Sequence, residues 1–267
     1  MENLVRAFRD GNVILFVGGG VSMNLGLPDW HKLIEHLAEE LQVDPACFRS
    51  SGDYLTLAEY YKAKTGSLAP LMEWMDLTWD RSGTAVESCA IHKLIVELAP
   101  PIIYTTNYDR WLERAFQSFG REYVRIVNVQ DLTGIHPGAT QIVKFHGDYG
   151  DAESIVLTET SYFDRLDFES PLDIKLRADS LSRTILFIGY SLSDINIRYL
   201  LFRLKRLWDS SRCAGSRPQS YIFLTRENPV QQLVLGNRGI VTLFSESADP
   251  GDGLREFLQR LLEAVRG

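Results

Sequence analysis

The chain has 267 residues, enough for one large core with a smaller insertion. Its 45% hydrophobic and 24% charged residues and net charge of −7 fit a globular protein. It has no Lys/Arg run to suit nucleic acid, no apolar stretch near the length of a membrane span, and no signal-peptide pattern in MENLVRAFRDG. Cys47, Cys89 and Cys213, none in C-x-x-C spacing, fit a reducing cytoplasm and read as small buried hydrophobes rather than a redox pair.

Val13–Val17 is a short apolar run and predicts a buried strand. It leads into Gly18, Gly19, Gly20 and Ser22, then Gly26-Leu27-Pro28-Asp29-Trp30. A strand feeding a glycine turn and then a helix can present backbone N–H groups to a phosphate, although glycines after a strand also mark a plain tight turn. Helical periodicity covers Asp29–Leu41, Leu55–Ala63, Leu68–Trp79 and Ser88–Leu98 without a convincing strand between. Residues 31–98 are therefore expected to form a helical insertion, with Trp74, Met75 and Trp79 in its core.

Further strands are predicted at Ile102–Tyr104, Tyr123–Val127, Ile142–Phe145, Ile185–Ile188 and Tyr221–Leu224, with Ile240–Phe244 as another candidate. Helices are expected at Asp109–Phe119, Ile195–Trp208 and Gly253–Val265, with a helical excursion over 158–183 and an exposed loop over 210–220. The alternation predicts one Rossmann-like, doubly wound α/β domain over 1–267, built on a mostly parallel sheet with the helical insertion at about 31–98.

Three segments follow predicted strands directly, where open α/β sheets bind ligands: YTTNYD at 104–109, KFHGD at 144–148 and IGYSLSD at 188–194. Asn107 can hold a water or a ribose hydroxyl, or cap the following helix; Asp109 suits the cap equally. His146 fits a structural role or a base that takes a proton near neutral pH. Gly147 is expected to leave its ring room, and Asp148 to orient the loop or face solvent. Asp194 fits a helix N-terminus as well as a ligand contact. His31, His36, His92 and His136 do not cluster with cysteines or carboxylates at metal spacing, and no G-x-S-x-G elbow is present.

Taken in order, these four blocks resemble the sirtuin family. Gly18, Gly20, Ser22, Gly26, Pro28 and Asp29 match its G-A-G-x-S-x-x-x-G-I-P-D-F-R opening, with Leu27 and Trp30 in place of isoleucine and phenylalanine. Thr105, Asn107 and Asp109 match T-Q-N-I-D; His146-Gly147 match its H-G pair; Gly189, Ser191 and Leu192 match G-T-S-L. Thr106 replaces the family's glutamine and His31 its arginine. Three scattered cysteines, two of them before His146, do not supply the two cysteine pairs of the family's structural zinc. TTNYD, HGD and GYSLSD together look like the bacterial sirtuin-like branch associated with antiphage defence, which hydrolyses NAD⁺.

The resemblance implies a zinc-free NAD⁺ glycohydrolase with NAD⁺ as substrate and Asn107, His146 and Asp109 as catalytic residues. It assigns Gly18, Gly19, Gly20, Ser22, Pro28, Asp29, Trp30, Thr105, Gly189, Ser191, Asp194 and, more loosely, Asn228 to the dinucleotide. His31, next to the Trp30 loop, is a further candidate for the lining. Protein deacylation, ADP-ribosyl transfer or cyclisation, and a non-enzymatic NAD⁺ or ADP-ribose sensor are the alternatives. A cytoplasmic homo-oligomer is expected, with a helicase-like ATPase or a sensor protein as a possible partner and neither nucleic acid nor membrane as a direct one.

Overall fold

The computed structural model describes residues 1–27, 30–79, 86–167, 169–192, 194–210 and 217–267. Seven strands form one sheet: β1 (Val13–Val17), β2 (Ile102–Thr105), β3 (Tyr123–Ile126), β4 (Thr140–Lys144), β5 (Thr184–Ile188), β6 (Ser220–Leu224) and β7 (Ile240–Phe244), in the order β3-β4-β2-β1-β5-β6-β7. Every neighbouring pair is parallel. β1 lies at the centre, with Ile14 opposite both Ile102 of β2 and Ile185 of β5. Both central strands, VILFV and TILFI, are buried along their whole length, as a parallel sheet covered on both faces requires.

The two-residue side-chain period divides β1 between two cores. Val13, Leu15 and Val17 pack with α1 (Glu2–Arg9) and with Leu254, Phe257, Leu258 and Leu261 of the C-terminal helix; Ile14 and Phe16 pack on the opposite face. In chain order the remaining helices are α2 (Gly19–Met23), α3 (Trp30–Glu40), α4 (Pro45–Ser50), α5 (Tyr54–Thr65), α6 (Ala69–Trp79), α7 (Ala90–Leu98), α8 (Trp111–Ser118), α9 (Glu159–Asp164), α10 (Pro171–Ser182), α11 (Ile195–Asp209), α12 (Pro229–Gly236) and α13 (Pro250–Arg266). α7, α8 and α13 join α1 on the first face, and α10, α11 and α12 cover the second. The result is the doubly wound Rossmann-like architecture, with a fully parallel sheet.

The helical segment between β1 and β2 divides in two. α3 to α6 close their own apolar cluster, which includes Leu37, Tyr61, Leu71, Met75 and Trp79, and set it against Tyr108, Tyr149 and Leu157 from the loops at the sheet's carboxyl ends. α7 lies inside the expected 31–98 insertion but contributes Ile91, Leu94 and Ile95 to the first sheet core. The cap ends by packing at α6, and α7 is a layer helix. Among the described residues, no helix is long and apolar enough to cross a membrane.

Candidate active site

A cleft of about 1230 Å³ opens beyond the carboxyl ends of β1 and β5, where strand order reverses, and the α3–α6 cap walls one side. Its floor is a tie between two glycine loops. The Gly18 N–H donates to Ile188 O at 3.0 Å and the Gly20 N–H to Gly189 O at 2.9 Å. A Cβ on Gly18 would stand 2.4 Å from Gly189 O, and one on Gly20 3.0 Å from Gly189 Cα. Gly189, at φ +58°, would meet Val21 N at 2.6 Å. These three glycines are small because the loops press on each other. Gly19 differs: its nearest neighbour, Asn107 Oδ1, lies 4.0 Å from where a Cβ would stand, so its backbone faces the cleft.

The turn after β2 is held by side chains beneath the floor. The Thr105 hydroxyl accepts from the Asn107 N–H at 3.0 Å. Asn107 Nδ2 donates to Gly18 O at 3.2 Å and to Ser22 Oγ at 3.0 Å. Ser22 in turn donates to Asp109 Oδ2 at 2.8 Å, and Asp109 Oδ1 accepts from the Trp111 N–H at 3.1 Å, close to the start of α8. The donor side of the Asn107 amide is therefore committed to the protein, and its oxygen is the part offered to the cleft. Gly18, Ser22, Thr105 and Asp109 do not line the cleft; they set the position of Asn107, which does.

His146 follows β4 and is 3% exposed. Gly147, at φ +89°, turns the chain behind it, and its missing side chain makes room for the backbone of Ser154, which a Cβ would strike, not for the imidazole. His146 O accepts from the Val156 N–H at 3.0 Å. Nε2 lies 3.3 Å from Asp194 Oδ2 but out of line for a hydrogen bond, and Nδ1 lies 3.4 Å from the Tyr162 hydroxyl. Burial pushes the His146 pKa down to about 4, against the pull of Asp194, so the ring is neutral at pH 7.

The walls carry Trp30, stacked on Tyr54 at 5.8 Å, and Gly189, Ser191, Asp194 and Asn228. The Asn228 side-chain oxygen accepts from the Gln231 N–H at 3.0 Å, which makes it the N-cap of α12. Asp194 likewise caps α11 through Ile197 N at 3.1 Å. Pro28 and Asp29 lie outside the described residues. His31 turns away from the cleft to Glu35, at 3.2 Å, and to Arg49. Tyr54, Tyr162 and Arg226 also line the cleft, from outside the four sequence blocks; among the described lining residues Arg226 is the one Lys or Arg. The Thr158 and Ser161 spacing, a reciprocal cap at the start of α9, was the signal that would have placed Tyr162.

Below the cleft runs a buried ionic layer. Lys144, fully buried at the end of β4, donates to the Asp109 carbonyl and lies 3.6 Å from Glu113 Oε1. Burial pushes the Glu113 carboxyl above its ordinary range, against the pull of Lys144. Asp148 is buried rather than solvent-facing. Burial alone would raise its pKa, but Arg110 at 2.7 Å, Lys144 and the Gly150 N–H bring it below the usual carboxylate value. His92 is fully buried in α7 with Nδ1 3.2 Å from Cys89 Sγ. Among the described residues no three His, Cys, Asp or Glu side chains gather as metal ligands.

Comparison with known proteins bears on family and fold. A profile described as SIR2-like domain matches residues 101–243, which takes in three of the four blocks and leaves the glycine turn outside. NAD(+) hydrolase ThsA of Enterococcus faecium is 31% identical over 204 residues, covering 75% of this chain and 41% of that protein. Defense-associated sirtuin 2 of Bacillus subtilis is 28% identical over 216 residues, 79% of this chain and 21% of its own length. The chain thus spans well under half the length of either relative. A solved SIR2 homolog–NAD complex covers 100% of this chain and 94% of its own, with a TM-score of 0.52 and 14% identity, a likeness of fold.

Proposed function

The chain belongs to the SIR2-like domain family, and on that premise we propose that it is an NAD⁺ glycohydrolase releasing nicotinamide and ADP-ribose. The observation that carries the reading is the convergence of Gly19, Asn107 and His146 on one cleft at the switch point of the sheet. The name of the Enterococcus faecium relative supports the same activity.

Breaking the nicotinamide–ribose bond builds positive charge on the ribose. The open backbone at Gly19 takes the pyrophosphate. The Asn107 oxygen accepts from the attacking water or a ribose hydroxyl and fixes its approach. His146, neutral at pH 7, takes the proton that water gives up as its oxygen bonds to the ribose carbon. Trp30 shields the face that nicotinamide leaves. Asp109 serves this step by holding Ser22, and through it Asn107.

The test is to incubate purified protein with NAD⁺ and resolve the products by chromatography. Nicotinamide and ADP-ribose are expected in equal amounts without any acyl-lysine peptide. Peptide-dependent release with O-acyl-ADP-ribose as product would overturn the reading. Defence by NAD⁺ depletion, a cytoplasmic location and self-association, with a partner protein as trigger, go with the same proposal. So does the absence of a structural zinc: a chelator is expected to leave the melting temperature unchanged.

A further inference from the structure

His146 carries the proton step of the proposed reaction, and two side chains from other segments close on its ring. Asp194, at the start of α11, places Oδ2 3.3 Å from Nε2. Tyr162, in α9, sets its hydroxyl 3.4 Å from Nδ1 and donates to the same Asp194 oxygen at 3.2 Å. Its ring meets the imidazole edge-on, with centroids 5.3 Å apart. All three side chains line the cleft.

We propose that Asp194, acting with Tyr162, is the positioning residue of His146: its carboxylate holds the Tyr162 hydroxyl against Nδ1 and stabilises the positive charge that the imidazole acquires on taking the proton. The inference rests on the hydrolase reading of the cleft. The proton passes from water to an imidazole nitrogen and then to solvent; none is transferred to Asp194.

The surroundings make such a partner necessary. A buried imidazole resists charge because bulk water no longer solvates the imidazolium, and a carboxylate within about 4 Å offsets that loss. Around His146, burial and the Arg165 guanidinium oppose protonation, while Asp194 and Asp173 favour it. Arg165 and Asp173 are bound to each other at 2.6 Å, and Arg165 also donates to Phe145 O at 2.8 Å. Their opposite charges largely cancel at the ring, which leaves Asp194 as the deciding carboxylate.

The two oxygens of Asp194 divide their duties. Oδ1 caps α11 through Ile197 N, and Oδ2 faces His146 and Tyr162. Asparagine caps a helix as well as aspartate does, so Asp194→Asn keeps the first duty and removes the charge from the second. Asp194→Ser also keeps a cap, with a side chain too short for the ring.

The experiment measures melting temperature, kcat, KM for NAD⁺ and the NMR titration of His146 in wild type, Asp194→Asn, Asp194→Ser and Tyr162→Phe. In the Asn variant the melting temperature and KM are expected to hold, kcat to fall by about 10²-fold, and His146 to stay neutral to lower pH. The Ser variant is expected to match it, and Tyr162→Phe to lose less. An unmoved His146 titration, an unchanged kcat, or a loss of activity that merely follows a loss of fold in the Asn variant overturns the proposal. If wild type releases no nicotinamide, the hydrolase reading fails on its own, while the titration still decides the pairing.

Discussion

His146 and His92 share an environment by number and differ in what surrounds them. Both are almost sealed from solvent, and burial pushes both from 6.5 down to about 4. His146 stands at a strand end, beside two side chains that also line the cleft. His92 sits in α7, against Cys89, with the Asp109 carboxylate pulling its pKa upward. A depressed histidine therefore marks burial in this fold, and what separates the two rings is that His146 lines the cleft and His92 does not. The same contrast separates the cleft lining, which the proposed reaction uses, from the ionic layer under it, which holds the loops in place.

The sharpest way to test that division is to remove one member from each side. His146→Ala is expected to cut nicotinamide release by about 10²–10⁴-fold, with the thermal melt close to wild type. Near-normal turnover would break the assignment. Lys144→Ala acts in the opposite sense. It leaves Glu113 buried without its cation, which costs about 3–5 kcal/mol, and a denaturant titration reads the loss as lowered stability. A variant as stable as wild type would show that the layer does not hold the site.

Two neighbouring glycines make the comparison finer. Gly18→Ala drives a Cβ into the Gly189 loop and is expected to destabilise by about 1–3 kcal/mol. Gly19→Ala meets nothing nearer than Asn107 Oδ1 at 4.0 Å, keeps the fold and is expected to weaken NAD⁺ binding, as calorimetry would record. The reverse pattern would assign the phosphate approach to Gly18.

The last prediction treats the two histidines together. Each is held neutral in the folded protein at a pH where the unfolded chain protonates it. Their contribution is complete above pH 6.5 and is lost as pH falls towards about 4, on the order of 3 kcal/mol each at the low end. His92→Gln should flatten part of that slope while leaving NAD⁺ turnover in place. An identical slope in the variant would remove His92 from the account.

The strands were legible because a parallel sheet buried on both faces leaves short, uniformly apolar runs such as VILFV and TILFI. Helix starts were less so. Asp44-Pro45, Ser170-Pro171, Asn228-Pro229 and Asp249-Pro250 each pair a capping side chain with a proline at the first turn, and each opens a helix. Read that way, they would have placed α4 and α12, and would have shown the capping duty of Asn228. The sequence also points to Asn107 and His146, because each follows a strand in a recognisable block. It does not separate Gly19 from Gly18, or His146 from His92. Those distinctions depend on which loop leans on which, and that is set by β5, far along the chain from the glycine turn.

That distance has a consequence for how the molecule forms. Ile14 pairs with Ile185 on one flank and with Ile102 on the other. At about 5–20 residues per second, a nascent chain holds the VILFV segment without its β5 partner for roughly ten seconds or more. The α3–α6 cap, built from contacts between neighbouring helices, is free to form in that interval. An apolar strand with high β-propensity is thus made early and sheltered late, and the cleft is completed only when the second glycine loop arrives.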